Sequence, residues 1–142
     1  MSINTLVIQK FILTSVILLA FVNIASGSDR YVKDLDDIIT DTEAGIQWQV
    51  GPDRDTSWNA AEEWVNSLGD DWRMPTRDEL RALYDSGITF DNWGPFHNSG
   101  YCIWTGEHDS HHAWYCYFWG YNETWDRRVF KVSRRAFAIR SQ

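Results

Sequence analysis

The segment Trp72-Arg73-Met74-Pro75-Thr76-Arg77-Asp78-Glu79-Leu80 constrains this chain more than any other stretch. Proline lacks an N–H and restricts the residue before it, so no helix runs through Pro75. Thr76 followed three positions on by Glu79 makes an S/T-x-x-E capping box, in which each side chain satisfies an orphan backbone N–H of the first turn. A helix is therefore expected to start at Arg77. Leu80, Leu83 and Tyr84 give it one apolar face, and Arg77, Asp78 and Arg81 its wet face.

On the N-terminal side, Trp58, Ala61, Trp64, Val65 and Leu68 fall at helical spacing, and Gly69 stops that helix where left-handed backbone is needed. Further upstream, Ile38-Ile39-Thr40 is β-prone and Asp41 to Gly45 reads as a turn. Ile46, Trp48 and Val50 alternate with polar residues as a half-buried strand. Residues 28 to 36 are polar and expected to fray. Asp85 to Gly100 reads as a long loop carrying Trp93 and Phe96. Tyr101–Thr105 and Ala113–Trp119 are aromatic strands joined by the polar residues Gly106 to His112. Arg128–Val132 and Ala136–Arg140 close the chain as two short strands around Ser133. The fold class expected is α+β, two helices packed on small antiparallel sheets with long loops.

The 142 residues leave room for one domain, and the first part reads as a leader. Met1 to Lys10 carries one charge, Phe11 to Val22 is apolar, and Ala25-Ser26-Gly27 is a small-residue cleavage site. Residues 1–27 are thus expected to be a signal peptide and 28–142 the exported domain. The apolar run is short against the roughly 20 residues of a membrane span, so no transmembrane anchor is expected after cleavage. Export, whether to the periplasm, the cell surface or the medium, permits disulfides.

A hairpin centred on Asp109 sets Cys102 opposite Cys116 and Trp104 opposite Trp114. Opposed residues at a non-hydrogen-bonded pair lie about 4.5 Å apart at Cα, inside disulfide range. A Cys102–Cys116 bridge is expected, the alternative being two free buried thiols. In that register Cys102, Trp104, Trp114, Cys116 and Phe118 share one face, and Tyr101, Ile103, Tyr115 and Tyr117 the other.

With those elements placed, the chain resembles the Lcl C-terminal domain family. The match rests on Ile39-Thr40-Asp41 with Gly45 to Gln49, on the W-R-x-P-T-x-x-E-L element at Trp72 to Leu80, on Trp104-Thr105 with Ala113-Trp114, and on Ala138-Ile139-Arg140. The resemblance implies a C-type-lectin-like fold on a bacterial exported protein used for surface recognition or adhesion, and some relatives bind glycosaminoglycans. It also implies a cysteine in the first helix and another in the last strand. Here Val65 or Asn66 and Ala138 stand in those places, so Cys102 and Cys116 would replace that bridge. Gly106 takes the place of a more usual serine and loosens the hairpin.

The formal net charge of −7 argues against nucleic acid as a partner. The charge is uneven: from Arg127 onward Arg127, Arg128, Lys131, Arg134, Arg135 and Arg140 stand with no acid. Pairing with the acidic first half is the simpler account, and a local anion-binding patch the sharper one.

No catalytic motif of the G-x-S-x-G or H-E-x-x-H kind is present, and the calcium signature of animal lectins is absent. Glu107, His108, Asp109, His111 and His112 carry metal-ligating chemistry, but an exposed polar turn explains them equally, and no metal or cofactor is assigned. Asn122-Glu123-Thr124 is a glycosylation sequon, meaningful only in a eukaryotic secretory route. The chain has nine tryptophans. Trp48, Trp58, Trp64 and Trp72 are expected in the core. Aromatic faces stack on sugars, so Tyr115, Tyr117, Trp119, Tyr121 and Trp125, with Arg127 and Arg128, are the expected ligand-binding residues. The function expected is a non-catalytic recognition or adhesion module for a glycan or surface polymer. The alternatives are an enzyme on the lectin-like fold of formylglycine-generating proteins and a structural envelope protein that binds another protein.

Overall fold

The computed structural model describes residues 29–142, so the expected signal peptide lies outside the described residues. The fold is α+β. Strands β1 (Tyr31–Lys33), β2 (Ile39–Asp41) and β3 (Ile46–Val50) precede helices α1 (Trp58–Ser67) and α2 (Arg77–Asp85). A 3-10 turn at Gly94–Phe96 follows, then β4 (Cys102–His108), β5 (His112–Tyr117), β6 (Asn122–Arg127), β7 (Arg134–Arg135) and β8 (Phe137–Ser141). Two four-stranded sheets result, ordered β1-β2-β3-β8 and β6-β5-β4-β7. All pairings are antiparallel except β4 with β7, which is parallel.

The Trp72–Leu80 segment is the junction of the molecule. Thr76 Oγ1 accepts from Glu79 N at 3.2 Å and the Glu79 carboxylate accepts from Thr76 N at 2.8 Å, so the capping box is complete. Arg73 exchanges two backbone hydrogen bonds with Ile139 of β8, at 3.0 and 2.8 Å. The Pro75 carbonyl accepts from Gly106 N of β4 at 2.9 Å, and the Arg140 guanidinium lies 4.4 Å from the Trp72 ring. Nine residues thus fix both helices to both sheets.

Trp48, Leu80, Leu83, Phe96, Phe118, Phe137 and Ile139 are among the residues of the larger core cluster. A second cluster gathers Trp58, Ala61, Val65, Trp72, Met74 and Trp104. The polar start of the domain does not fray as expected. Tyr31 packs edge-on against Phe96 with centroids 5.3 Å apart, its hydroxyl lies 2.7 Å from Ser86 Oγ, and Arg30 forks the buried Asp41.

The hairpin departs from the expected register, and the disulfide goes with it. Asp109 N–H closes on His112 O, so the turn centres between Ser110 and His111, and an irregularity lies between Trp104 and His108. Gly106, within that irregularity, turns its N–H to Pro75 and not to β5. Cys102 consequently pairs with Tyr117 and Ile103 with Cys116. Because side chains alternate across a sheet, this offset sends the two cysteines to opposite faces. Both are free and buried. The faces re-sort accordingly: Trp114, Cys116 and Phe118 go with Ile103, while Tyr115 and Tyr117 go with Cys102 and Trp104.

β6 was not foreseen, since Asn122-Glu123-Thr124-Trp125-Asp126-Arg127 has no apolar alternation. It forms because each of its residues pairs along β5. The strand expected over Arg128–Val132 is instead a turn, held at its far end by Ser133 with φ +58°.

Candidate functional site

The expected binding residues do not form one surface. Trp125, Arg127 and Arg128 converge at the far end of β6. Tyr117 and Trp119 stand at the opposite end of β5, and Tyr121 is built into the interior.

At the first location, α1, the β4–β5 tip and the end of β6 enclose a groove of about 500 Å³ lined by Asn59, Ser110, His111, His112, Arg127, Arg128 and Val129. Backbone bonds hold it open. Arg128 N donates to His111 O at 2.9 Å, and Arg128 O accepts from Trp58 N at 2.9 Å. The Arg128 guanidinium lies 4.0 Å from the Trp58 ring and 3.8 Å from Glu62 Oε2. At the tip, the Asp109 carboxylate accepts from the backbone N–H groups of His111 and His112, each at 2.7 Å. Those bonds hold its carboxyl below the usual carboxylate range.

Beside the groove runs an aromatic and cationic stack. The Trp125 ring, 48% exposed, lies 5.2 Å from His112 at an interplanar angle of 29° and 5.5 Å from Trp114. Arg77 caps Trp114 at 4.3 Å and is itself held by Glu107 at 2.8 Å. The pairing of Trp114 with Trp125 across β5 and β6 builds this stack. Such a surface has the chemistry to stack on an apolar ring face and to offer charge-assisted donors to an acidic substituent.

At the other end, Trp119 is 64% exposed and stacks on Phe90 at 28°, with Tyr101 edge-on to both Phe90 and Tyr117. Tyr121 serves the interior instead. Its hydroxyl lies 3.2 Å from Glu123 Oε1 and 3.3 Å from both Cys116 Sγ and Arg77 O, with Arg81 over its ring at 4.0 Å. Burial, reinforced by Cys116 and Glu123, pushes its phenol up.

The basic end of the chain divides the same way. Arg134 is buried against Asp126 at 2.6 Å, and its guanidinium lies 4.3 Å from Tyr115. Arg135 is buried against Asp53 at 2.7 Å, Asp55 at 3.2 Å and Ser99 Oγ at 2.9 Å. Both are consumed by pairing, much of it with the acidic first half. Arg127 and Lys131 stay exposed.

The hairpin-tip residues singled out for metal chemistry have separate occupations: Glu107 pairs with Arg77, and the His108 ring lies against Trp58 at 4.2 Å. Among the described residues no group of three His, Cys, Asp or Glu side chains is placed to hold a metal ion. Desolvation pushes the Cys102 thiol up to about 11 and the Cys116 thiol up to about 12, so both are neutral at ordinary pH.

Asn59 and Ser110 carry no sequence signal for the groove. His112 was visible as a polar turn residue, but its stacking on Trp125 depends on β6, which periodicity does not reveal.

No curated protein matches the chain. The model of the Lcl C-terminal domain matches residues 37–139, from the start of the β2 region to β8, and the chain belongs to that family.

Proposed function

We propose that this domain is an exported, non-catalytic recognition module that binds a glycan or surface polymer in the groove between the hairpin tip, α1 and the end of β6. The observation that carries the reading is the Trp125 ring, half exposed yet braced between His112 and Trp114, at the margin of a groove lined by Arg127 and Arg128. A solvent-facing tryptophan held by neighbours on both sides loses little freedom when a sugar stacks on it. The lectin-like character that the family resemblance implies, and the leader-like sequence of Met1 to Gly27, support the same reading. The two cysteines, neutral and on opposite faces of a sheet, give no support to chemistry of the formylglycine-generating kind.

The test is binding of heparin and of neutral oligosaccharides by the mature domain across a salt series, alongside Arg127→Ala, Trp125→Ala and Trp119→Ala. An anionic polymer engaging Arg127 and Arg128 should be released by salt, since exposed charges are screened beyond about 10 Å at 0.1 M. A neutral glycan should depend on Trp125 and little on salt. Dependence on Trp119 in place of Trp125 moves the site to the opposite end of β5. Failure of a folded domain to bind either class removes the glycan reading.

A further inference from the structure

A second surface lies just beyond the groove and shares only Arg127 and Val129 with its rim. Val129, Phe130 and Val132 are 70%, 47% and 64% exposed, three large apolar side chains within four residues. Lys131 stands among them and Arg127 two residues before Val129, both exposed and without a carboxylate partner among the described residues. No acidic residue occurs from Arg127 onward.

The turn that presents these side chains is fixed. Arg128 is bonded through its backbone to His111 and Trp58. Phe130 N donates to Arg127 O at 3.0 Å, Arg134 N donates to Lys131 O at 3.1 Å, and Ser133 N donates to Asp55 Oδ1 at 2.8 Å. A loop tied down at both ends holds its apolar side chains outward.

We propose that the Arg128–Ser133 turn docks this domain on an anionic phospholipid surface. Val129, Phe130 and Val132 enter the interfacial zone, and Arg127 and Lys131 meet the headgroups. The size and shape of the turn decide between a bilayer and a protein partner. A stable protein interface needs about 800 Å² from each side, which a six-residue turn does not supply. Shallow insertion in a bilayer interface needs only a few apolar tips beside cations, since burial of apolar area and attraction to anionic lipid act together there. Of the other stretches with exposed apolar residues, the one with Val32 and Leu35 carries Asp34, Asp36 and Asp37, which an anionic bilayer repels, and the Phe118–Tyr121 turn with Trp119 carries no cation. The charge distribution therefore also sets which end faces the lipid.

The test is co-sedimentation of the mature domain with phosphatidylcholine vesicles, with and without phosphatidylglycerol, at low and high salt. The expected result is binding to the anionic vesicles at low salt, little to the neutral ones, and release by salt. A Phe130→Ser/Val132→Ser variant, which leaves the groove residue Val129 in place, should bind at least about tenfold more weakly, from the loss of apolar insertion. Lys131→Gln should weaken binding about fivefold, the share of one cation at a charged membrane surface.

Phe130 also lies 5.9 Å from the Arg134 guanidinium, so Val132→Ser alone serves if the double variant is not folded by near-ultraviolet circular dichroism. Phe130, Lys131 and Val132 do not line the groove, so glycan binding is read separately in these variants. Absence of the folded wild-type domain from the anionic pellet overturns the proposal. So does vesicle binding that the apolar substitutions leave unchanged. A concentration-dependent dimer lost in the same variants, without vesicle binding, would assign the turn to a protein partner and overturn it equally.

Discussion

Cys116 shows how much one residue of register decides. Its sulfur sits in the core beside Ile103 and 3.3 Å from the Tyr121 hydroxyl, while Cys102 lies on the other face of the same strands. Desolvation raises both thiols, to about 12 and about 11. The native protein should therefore leave both unmodified by iodoacetamide at pH 8 and react only on unfolding, and reductant should not shift its melting temperature. Mass spectrometry showing a Cys102–Cys116 link would contradict the fold's register. That register was not legible in the sequence, because it depends on Gly106 turning its N–H to Pro75, a contact between distant segments. Trp58 was legible as a core residue from its helical spacing, but its polar role was not. The indole N–H donates to the Thr105 carbonyl at 2.8 Å, with His108 and Arg128 against the ring. Trp58→Phe should cost about 1–3 kcal/mol in urea unfolding, the consequence of leaving a buried acceptor without its donor.

Among the elements, α2 was the most legible, since its start is written in local chemistry. Thr76→Ala should lower stability by about 1 kcal/mol, the usual loss for an N-cap, visible as a reduced denaturation midpoint with unchanged slope. β6 was the least legible. Its polar sequence is a strand only because β5 offers it a partner, and with it went the stack of Trp125 between His112 and Trp114. The two-residue β7 was equally hidden, being made by its surroundings: Arg135 is locked by Asp53, Asp55 and Ser99, and Gly100 packs directly against it. A Cβ at position 100 would lie 2.5 Å from Arg135 Cγ. The guanidinium bonds leave that stem nowhere to move, so Gly100→Ala should destabilise by about 1–3 kcal/mol, as overpacking does. Gly100→Ala matching wild type in thermal unfolding would mean that the Arg135 cluster is looser than its hydrogen bonds imply.

For the molecule as a whole, the α+β class and the family were legible because the Trp72–Leu80 junction, which ties both helices to both sheets, is written in local chemistry. The division of the basic end between structure and surface was not, since it depends on which arginines β7 draws inward. The carboxylates that hold segments together set the acid limit of stability. Burial alone would raise Asp41, Asp53 and Glu79. Hydrogen bonds from Arg30, Arg135 and Arg73 respectively, with nearby backbone N–H groups, outweigh it and lower all three. A carboxyl depressed in the folded state contributes stability above its unfolded pKa and loses that contribution as pH falls through the folded value. The urea midpoint should therefore drop between about pH 5 and pH 2, and Asp41→Asn should flatten that limb while lowering the neutral plateau.

The pairing of β3 with β8, Ile46 opposite Ser141 and Val50 opposite Phe137, carries a consequence in time. The β4-β5-β6 meander closes short turns, but the first sheet stays open until a strand almost the whole described chain away returns to it. Closing that distance carries a larger entropy cost than closing the turns, and contacts so remote in sequence form late. Folding should run outward from the meander, with β8 sealing the core after the barrier. In stopped-flow chevrons, Ile139→Val should mainly speed unfolding, whereas Ile103→Val should mainly slow refolding, each within a total loss of about 0.5–1.5 kcal/mol. The reverse pattern would place the sealing of β8 before the barrier.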